Sequence, residues 1–395
     1  MQSSASSGIF TTQFWLLGLS SFLFSSSFNM LIPELPGYLS NMGGAEYKGA
    51  IIGLFTLTAG LSRPFSGRLT DRIGRVPVMA FGSIVCFVCG FLYPLFTTVM
   101  PFLLLRLVHG FSTGFKPTGT SAYVADIVPA DRRGEAMGIH GMCMGVGSAF
   151  GPAVGSMISL TFSLNALFYT SSLFAFLSIA ILLNMKETLQ KKERLSLNAF
   201  KITRRDIFEP DVFSPALITF LCYFGFGAVS TVTPDFSGYL GLQNRGYYFM
   251  VFTLFSILVR LFAGKISDKH GRMPVTLVGI SVLIIAMVVT GFADSITLFL
   301  TGAAFFGVAM GILSPVLSAW TVDLSRDDNR GRAIATMFIS LEAGIGLGAF
   351  LSAAIFVNRR ENLQLVFFCM AGFAIAALIY TACIYQYKKR RARVI

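Results

Sequence analysis

Long apolar stretches broken by short polar ones set the pattern of this chain. Twelve runs of about twenty mostly apolar residues follow one another, near residues 13–32, 49–66, 77–97, 99–125, 136–160, 163–184, 213–235, 246–264, 275–293, 296–321, 333–357 and 363–385. Such a run is long enough to cross the hydrocarbon core of a bilayer as a helix, so the pattern predicts twelve transmembrane spans. The runs are continuous, whereas a membrane β-barrel would alternate apolar and polar positions. One long polar stretch, near 186–211, divides six spans from six. The expected organisation is a six-helix bundle over 1–185, a central loop over 186–211, a second six-helix bundle over 212–387 and a basic tail over 388–395. The opening MQSSASSGIF has no Lys or Arg and no small-residue cleavage site, so the first span is expected to stay in the protein.

Composition agrees with an all-α membrane protein. Apolar residues make up 54% of the chain and charged residues 13%, roughly half of the ~25% found in soluble domains. Disorder is excluded on the same ground. The net charge of +12 is unevenly placed. Arg68, Arg72, Arg75, Arg132, Arg133, the Lys/Arg of the central loop and Lys388 to Arg393 fall in one alternating set of loops; the other set offers Lys48, Arg245, Arg359 and Arg360. The positive-inside rule then puts both termini and the central loop in the cytoplasm, with the protein in the plasma (inner) membrane. Topology accounts for the basic charge, so no nucleic-acid partner is expected. Six cysteines lie inside apolar runs and the three histidines are scattered, so no metal or cofactor is expected.

The halves repeat. Arg63 to Val78 (R-P-F-S-G-R-L-T-D-R-I-G-R-V-P-V) returns as Arg260 to Val275 (R-L-F-A-G-K-I-S-D-K-H-G-R-M-P-V), with Asp71 and Asp268 197 residues apart. At the same offset Gly110 matches Gly307, Asp126 matches Asp323 and Asp131-x-Arg133-Gly134 matches Asp328-x-Arg330-Gly331. One register held across several spans marks a parallel duplication.

Gly67 to Arg75 resembles the G-x-L-x-D-R-x-G-R loop signature of the major facilitator superfamily, and Gly264 to Arg272 supplies a second copy. Leu103 to Gly110 is similar to the span-4 R-x-x-x-G motif of proton-coupled members, with His109 where Gln is common. Gly147-Ser-Ala-Phe-Gly151-Pro152-Ala-Val-Gly155 resembles the span-5 motif of the twelve-span drug:proton antiporters, with Ser156 in place of the final Gly. The resemblance implies a monomeric secondary transporter that works by alternating access and is not an enzyme. It also implies a cytoplasmic gate of Gly67, Asp71, Arg72, Gly74, Arg75 and Asp126, repeated as Gly264, Asp268, Gly271, Arg272 and Asp323. In that gate Asp71 faces the N-terminus of span 11, Asp268 that of span 5 near Gly134-Glu135, Arg75 pairs with Asp126 and Arg272 with Asp323. Gly147, Gly151 and Gly155 share one helix face for close packing and Pro152 bends that helix; in exporters this face is expected to seal the halves.

Ionisable residues inside the spans are costly, so each asks for a partner or a water-filled cavity. Arg63 and Arg260 are repeat-related and near the cytoplasmic loops, which suggests snorkelling or gate support. Glu34 and Asp235 stand at the outer ends of their spans and read as solvated; His140 reads as a packing residue or a proton relay. Glu342, about ten residues into span 11, is the expected proton site, met by Lys116 or Arg106 across the cavity. Asn29, Arg106, His109, Lys116, Tyr223, His140, Glu34 and Glu342 are therefore the candidate substrate and proton pathway. The expected activity is proton-driven export of a small amphipathic compound. A proton-coupled importer of a sugar, organic anion or peptide would use the same residues differently, with Arg106 and Lys116 as an anion clamp. An embedded enzyme would need a catalytic cluster, and a sensor an appended soluble domain; neither is seen in the sequence.

Overall fold

The structure, a computed structural model, describes residues 11–129, 132–189, 193, 208–325 and 330–391, with no side-chain description for 133–135, 330–331 and 391. Among the described residues there are helices and turns but no strand. The helices are α1 (Thr12–Asn29), the short α2 (Leu35–Asn41), α3 (Lys48–Arg72), α4 (Arg75–Leu92), α5 (Val99–Ile127), α6 (Arg133–Thr161), α7 (Leu164–Leu183), α8 (Phe213–Tyr239), α9 (Tyr247–His270), α10 (Arg272–Gly291), α11 (Ile296–Leu324), α12 (Arg330–Phe356) and α13 (Leu363–Arg391). All but α2 have at least 18 residues, and nine of them hold an apolar window long enough to cross a membrane. The exceptions, α1, α3 and α5, carry the serines, arginines and lysine of the first half. Most of the central loop lies outside the described residues. The basic tail does not separate from the last span: Lys388, Lys389 and Arg390 continue α13.

Local chemistry starts and stops these helices. Thr11, Ser163 and Ser295 cap α1, α7 and α11, each side-chain oxygen accepting a backbone N–H of the first turn. Gly74 (φ 135°) and Gly271 (φ 88°) make the repeated turns between α3 and α4 and between α9 and α10. A side chain would be strained there, which explains the glycine in both copies.

Helices α1 to α7 pack as one set and α8 to α13 as another, with the same neighbours in each. The α1–α6 contact repeats as α8–α12, α3–α5 as α9–α11, and α4–α7 as α10–α13. Between the sets, α3 packs on α12 and, by the same symmetry, α9 on α6. Large apolar side chains point outward, among them Leu61, Phe162, Leu183 and Phe262, each more than 60% exposed. In water this surface would be untenable; in a bilayer it is solvated by lipid.

The ends of the interface differ. On the face that carries the duplicated loops and both ends of the described chain, called the basic face here, a Cβ added at Gly67, Gly138, Gly141 or Gly264 would meet nothing within 4 Å. On the opposite face the sets touch. A Cβ at Gly49 would lie 2.7 Å from the Ala349 carbonyl oxygen, and one at Gly246 would run into the Pro152 backbone. Gly49 and Gly246 stand 197 residues apart, so the two contacts are repeat-related. Asn244 Nδ2 donates to the Ala153 carbonyl (2.9 Å) and Asn358 Nδ2 to that of Ala45 (2.9 Å). Lys48 Nζ meets Asp235 Oδ2 at 2.7 Å. Among the described residues, the interface is closed at the opposite face.

Candidate functional site

Midway along the interface, α3 of the first set meets α12 of the second through a buried ion pair. Arg63 Nη2 donates to Glu342 Oε1 at 2.9 Å, with side chains 11% and 8% exposed, and the guanidinium lies 4.4 Å from the centre of the Phe338 ring. Gly60, one turn from Arg63, leaves room for the Glu342 side chain: a Cβ there would stand 3.3 Å from Glu342 Cβ. Glu342 thus meets Arg63, where the sequence pointed to Lys116 or Arg106. Arg63 lies nine residues before the end of α3, about 14 Å of helix, too deep to reach the loop and so free to serve the interface. Tyr223 on α8 sits beside Ser314 and within electrostatic reach of Glu342 and Arg260.

The other candidate residues lie within the first set of helices. Arg106 is 2% exposed; its Nε donates to the Ile51 carbonyl (2.9 Å) and its Nη1 to the Tyr93 hydroxyl (3.1 Å), over the Phe55 ring. The Tyr93 hydroxyl also pairs with His109 Nδ1 at 2.9 Å. Lys116 is caged by hydroxyls from three further helices: Nζ donates to Ser20 Oγ (2.9 Å), Ser83 Oγ (3.0 Å) and Ser178 Oγ, above the Phe24 ring. Asn29 and His140 bridge α1 to α6 through Ser148 and Ser21. The charges at the outer ends have partners: Glu34 accepts from Ser156 (2.6 Å), the residue that departs from the span-5 motif, and Asp235 holds Lys48. A lone charge sequesters polar partners wherever it is buried, and these partners come from distant parts of the chain.

The loop residues pair within each set. Arg75 Nε donates to Asp126 (2.9 Å) and Arg272 Nε to Asp323 (2.7 Å). Asp71 and Asp268 each bond the arginine one turn on, and their side chains are 73% and 65% exposed. The helix N-termini they are expected to face, at Gly134, Glu135 and Gly331, lie outside the described side chains. Arg72 contacts Glu193 at 3.4 Å. Sequence reasoning missed Glu187, whose carboxylate accepts from the Arg75 and Val76 amides (3.0 and 3.1 Å) at the N-terminus of α4. The glycine face of α6 packs on α1, not across the interface: Cβ atoms at Gly147, Gly151 and Gly155 would meet Phe22, Ser26 and Met30 backbone. The contacts of α6 with the other set come instead from Gly145, against Ile257, and from Pro152 and Ala153, against Gly246.

A buried carboxylate–guanidinium pair between two repeated six-helix sets that are closed on each other at one end is the geometry of a transporter. The sequence model of the Major Facilitator Superfamily matches residues 17–289 and 216–394. The chain belongs to the major facilitator superfamily. Multidrug resistance protein 2 of Bacillus subtilis (strain 168) is 28% identical over 305 residues, covering 73% of this chain and 75% of that protein. The staphylopine export protein of Staphylococcus aureus (strain Mu50 / ATCC 700699) is 23% identical over 353 residues, covering 86% and 88%. Among solved structures the D-xylose-proton symporter superposes with a TM-score of 0.75 at 16% identity, covering 93% of this chain and 96% of that one. That likeness concerns the fold. This is a multi-pass membrane protein of a transporter family.

Proposed function

We propose that the chain exports a small, partly apolar compound across the plasma membrane, driven by protons moving inward, as a monomer working by alternating access. With the basic face and both termini in the cytoplasm, the contacts at the opposite face would close the path to the outside. The observation that carries the reading is the Arg63–Glu342 pair, because it spans the two sets at mid-membrane where they must move against each other. A proton taken up by Glu342 cancels its hold on Arg63, and release of that proton on the other side restores it; protonation thereby biases the two states. The names of the two bacterial relatives, one for multidrug resistance and one for export, support the outward direction.

The test is transport in proteoliposomes with an imposed pH gradient, using carboxyfluorescein and, as a cationic counterpart, ethidium. Glu342→Gln is expected to lose gradient-driven export and keep downhill exchange. Export by Glu342→Gln against a dye gradient at the wild-type rate would refute the proton site. Accumulation in the opposite direction by the wild type would favour import.

A further inference from the structure

The ion pair at the centre of the interface is half of a symmetric arrangement whose other half is incomplete. Arg63 and Arg260 are repeat-related, on α3 and α9, the two helices that cross to the other set. Arg63 finds Glu342 on α12. The residue 197 positions before Glu342 is Gly145 on α6, where no side chain exists. The surroundings repeat as well: Gly60 beside Glu342 corresponds to Ile257 beside Gly145, at 3.4 Å from a Cβ built there. Arg260 makes no ion pair with any described residue, whereas Arg63 has Glu342; the buried Nε of both arginines has no hydrogen-bond partner. Arg260 lies ten residues from the end of α9, about 15 Å of helix, at nearly the depth of Arg63.

We propose that Arg260 binds the anionic group of the transported compound, which stands where a carboxylate at position 145 would stand. The proposal rests on the transporter reading and names its substrate class, a carboxylate on a partly apolar body. The guanidinium fork fits a carboxylate in two parallel hydrogen bonds. With Arg63 neutralised by Glu342, the site holds one uncompensated positive charge, which selects a monoanion over a neutral or cationic analogue. Ile257, one turn from Arg260, and Tyr223, within electrostatic reach of it, suit an apolar or aromatic body.

Two measurements on purified full-length protein test this. The first needs no ligand: Gly145→Glu should supply the missing partner and raise the melting temperature above that of Gly145→Gln, which gains the same helix propensity without the charge. Equal melting temperatures would overturn the vacant-partner geometry. The second uses 2-naphthylacetate with its amide and the matching 2-naphthylethylamine. The acid should raise the melting temperature of the wild type, and the amide and amine should not. Arg260→Gln and Gly145→Glu should each weaken the acid by at least about tenfold, about 1.4 kcal/mol, while Arg260→Lys retains part of the effect. Stabilisation by the amine or amide to the same degree, no response to the acid, or an acid response that persists in both variants would overturn the proposal. An anionic lipid headgroup offers the same chemistry: stabilisation by added phosphatidylglycerol that the acid does not compete away would also overturn it. Failure of the vesicle export assay with intact acid binding would sink the transport reading and leave this site standing; dye export without charge preference would do the reverse.

Discussion

Breaking the Lys48–Asp235 pair should open the closed face. The two groups are 2.7 Å apart, with side chains 7% and 16% exposed, and Lys48 Nζ also lies 5.7 Å from the Phe356 ring centre. At an effective dielectric of 20 their attraction is about 6 kcal/mol, much of it offset by desolvation. Removing one partner leaves the other charge buried, which costs about 3–5 kcal/mol. The cost falls on the state in which this face is closed, since both groups meet water once the sets part. About 3 kcal/mol changes the ratio of the two states by roughly 150-fold. Asp235→Ala should therefore shift the protein toward a state open at that face. Spin labels at Met100 and Phe292, exposed positions near that face on opposite sets, would report it as a new, longer distance by double electron–electron resonance. Lys48→Met with Asp235→Ala removes both charges and should return much of the short distance. An unchanged distance distribution in Asp235→Ala, or a double variant as open as the single one, would refute the reasoning.

Gly246→Val places a side chain into the Pro152 and Ala153 backbone, so the same labels should show the short distance lost; an unaltered distribution would mean that the contact is not needed for closure. Lys116→Met should change stability by less than about 2 kcal/mol, because the cage hydroxyls already bond one another, Ser20 to Ser178 at 3.0 Å and Ser83 to Ser178 at 3.4 Å. Thermal melts check this, and transport of anionic and neutral compounds should respond alike; a selective loss for anions would place Lys116 on the substrate.

The class of the protein was readable from the chain because hydropathy and repetition are one-dimensional properties. A span must be apolar over its whole length whatever it packs against, and a duplication keeps its register through every fold change. The turns at Gly74 and Gly271 came from the repeat, and the Arg75–Asp126 and Arg272–Asp323 pairs were implied by the family resemblance; each joins residues within one copy. What the chain could not show is which residues meet across the two copies. Arg63 and Glu342 are 279 positions apart and Lys48 and Asp235 187, and nothing in local pattern ties one to the other. Lys116 and Arg106 carry the charge expected of a cavity wall, yet their rotation about α5 aims them at hydroxyls and carbonyls inside the first set. Gly49 and Gly246 looked like any other glycines until the interface brought backbone against them. Helix rotation and the packing of one set on the other decided these partners, because the cost of a buried charge is met by whichever group the tertiary fold delivers to it.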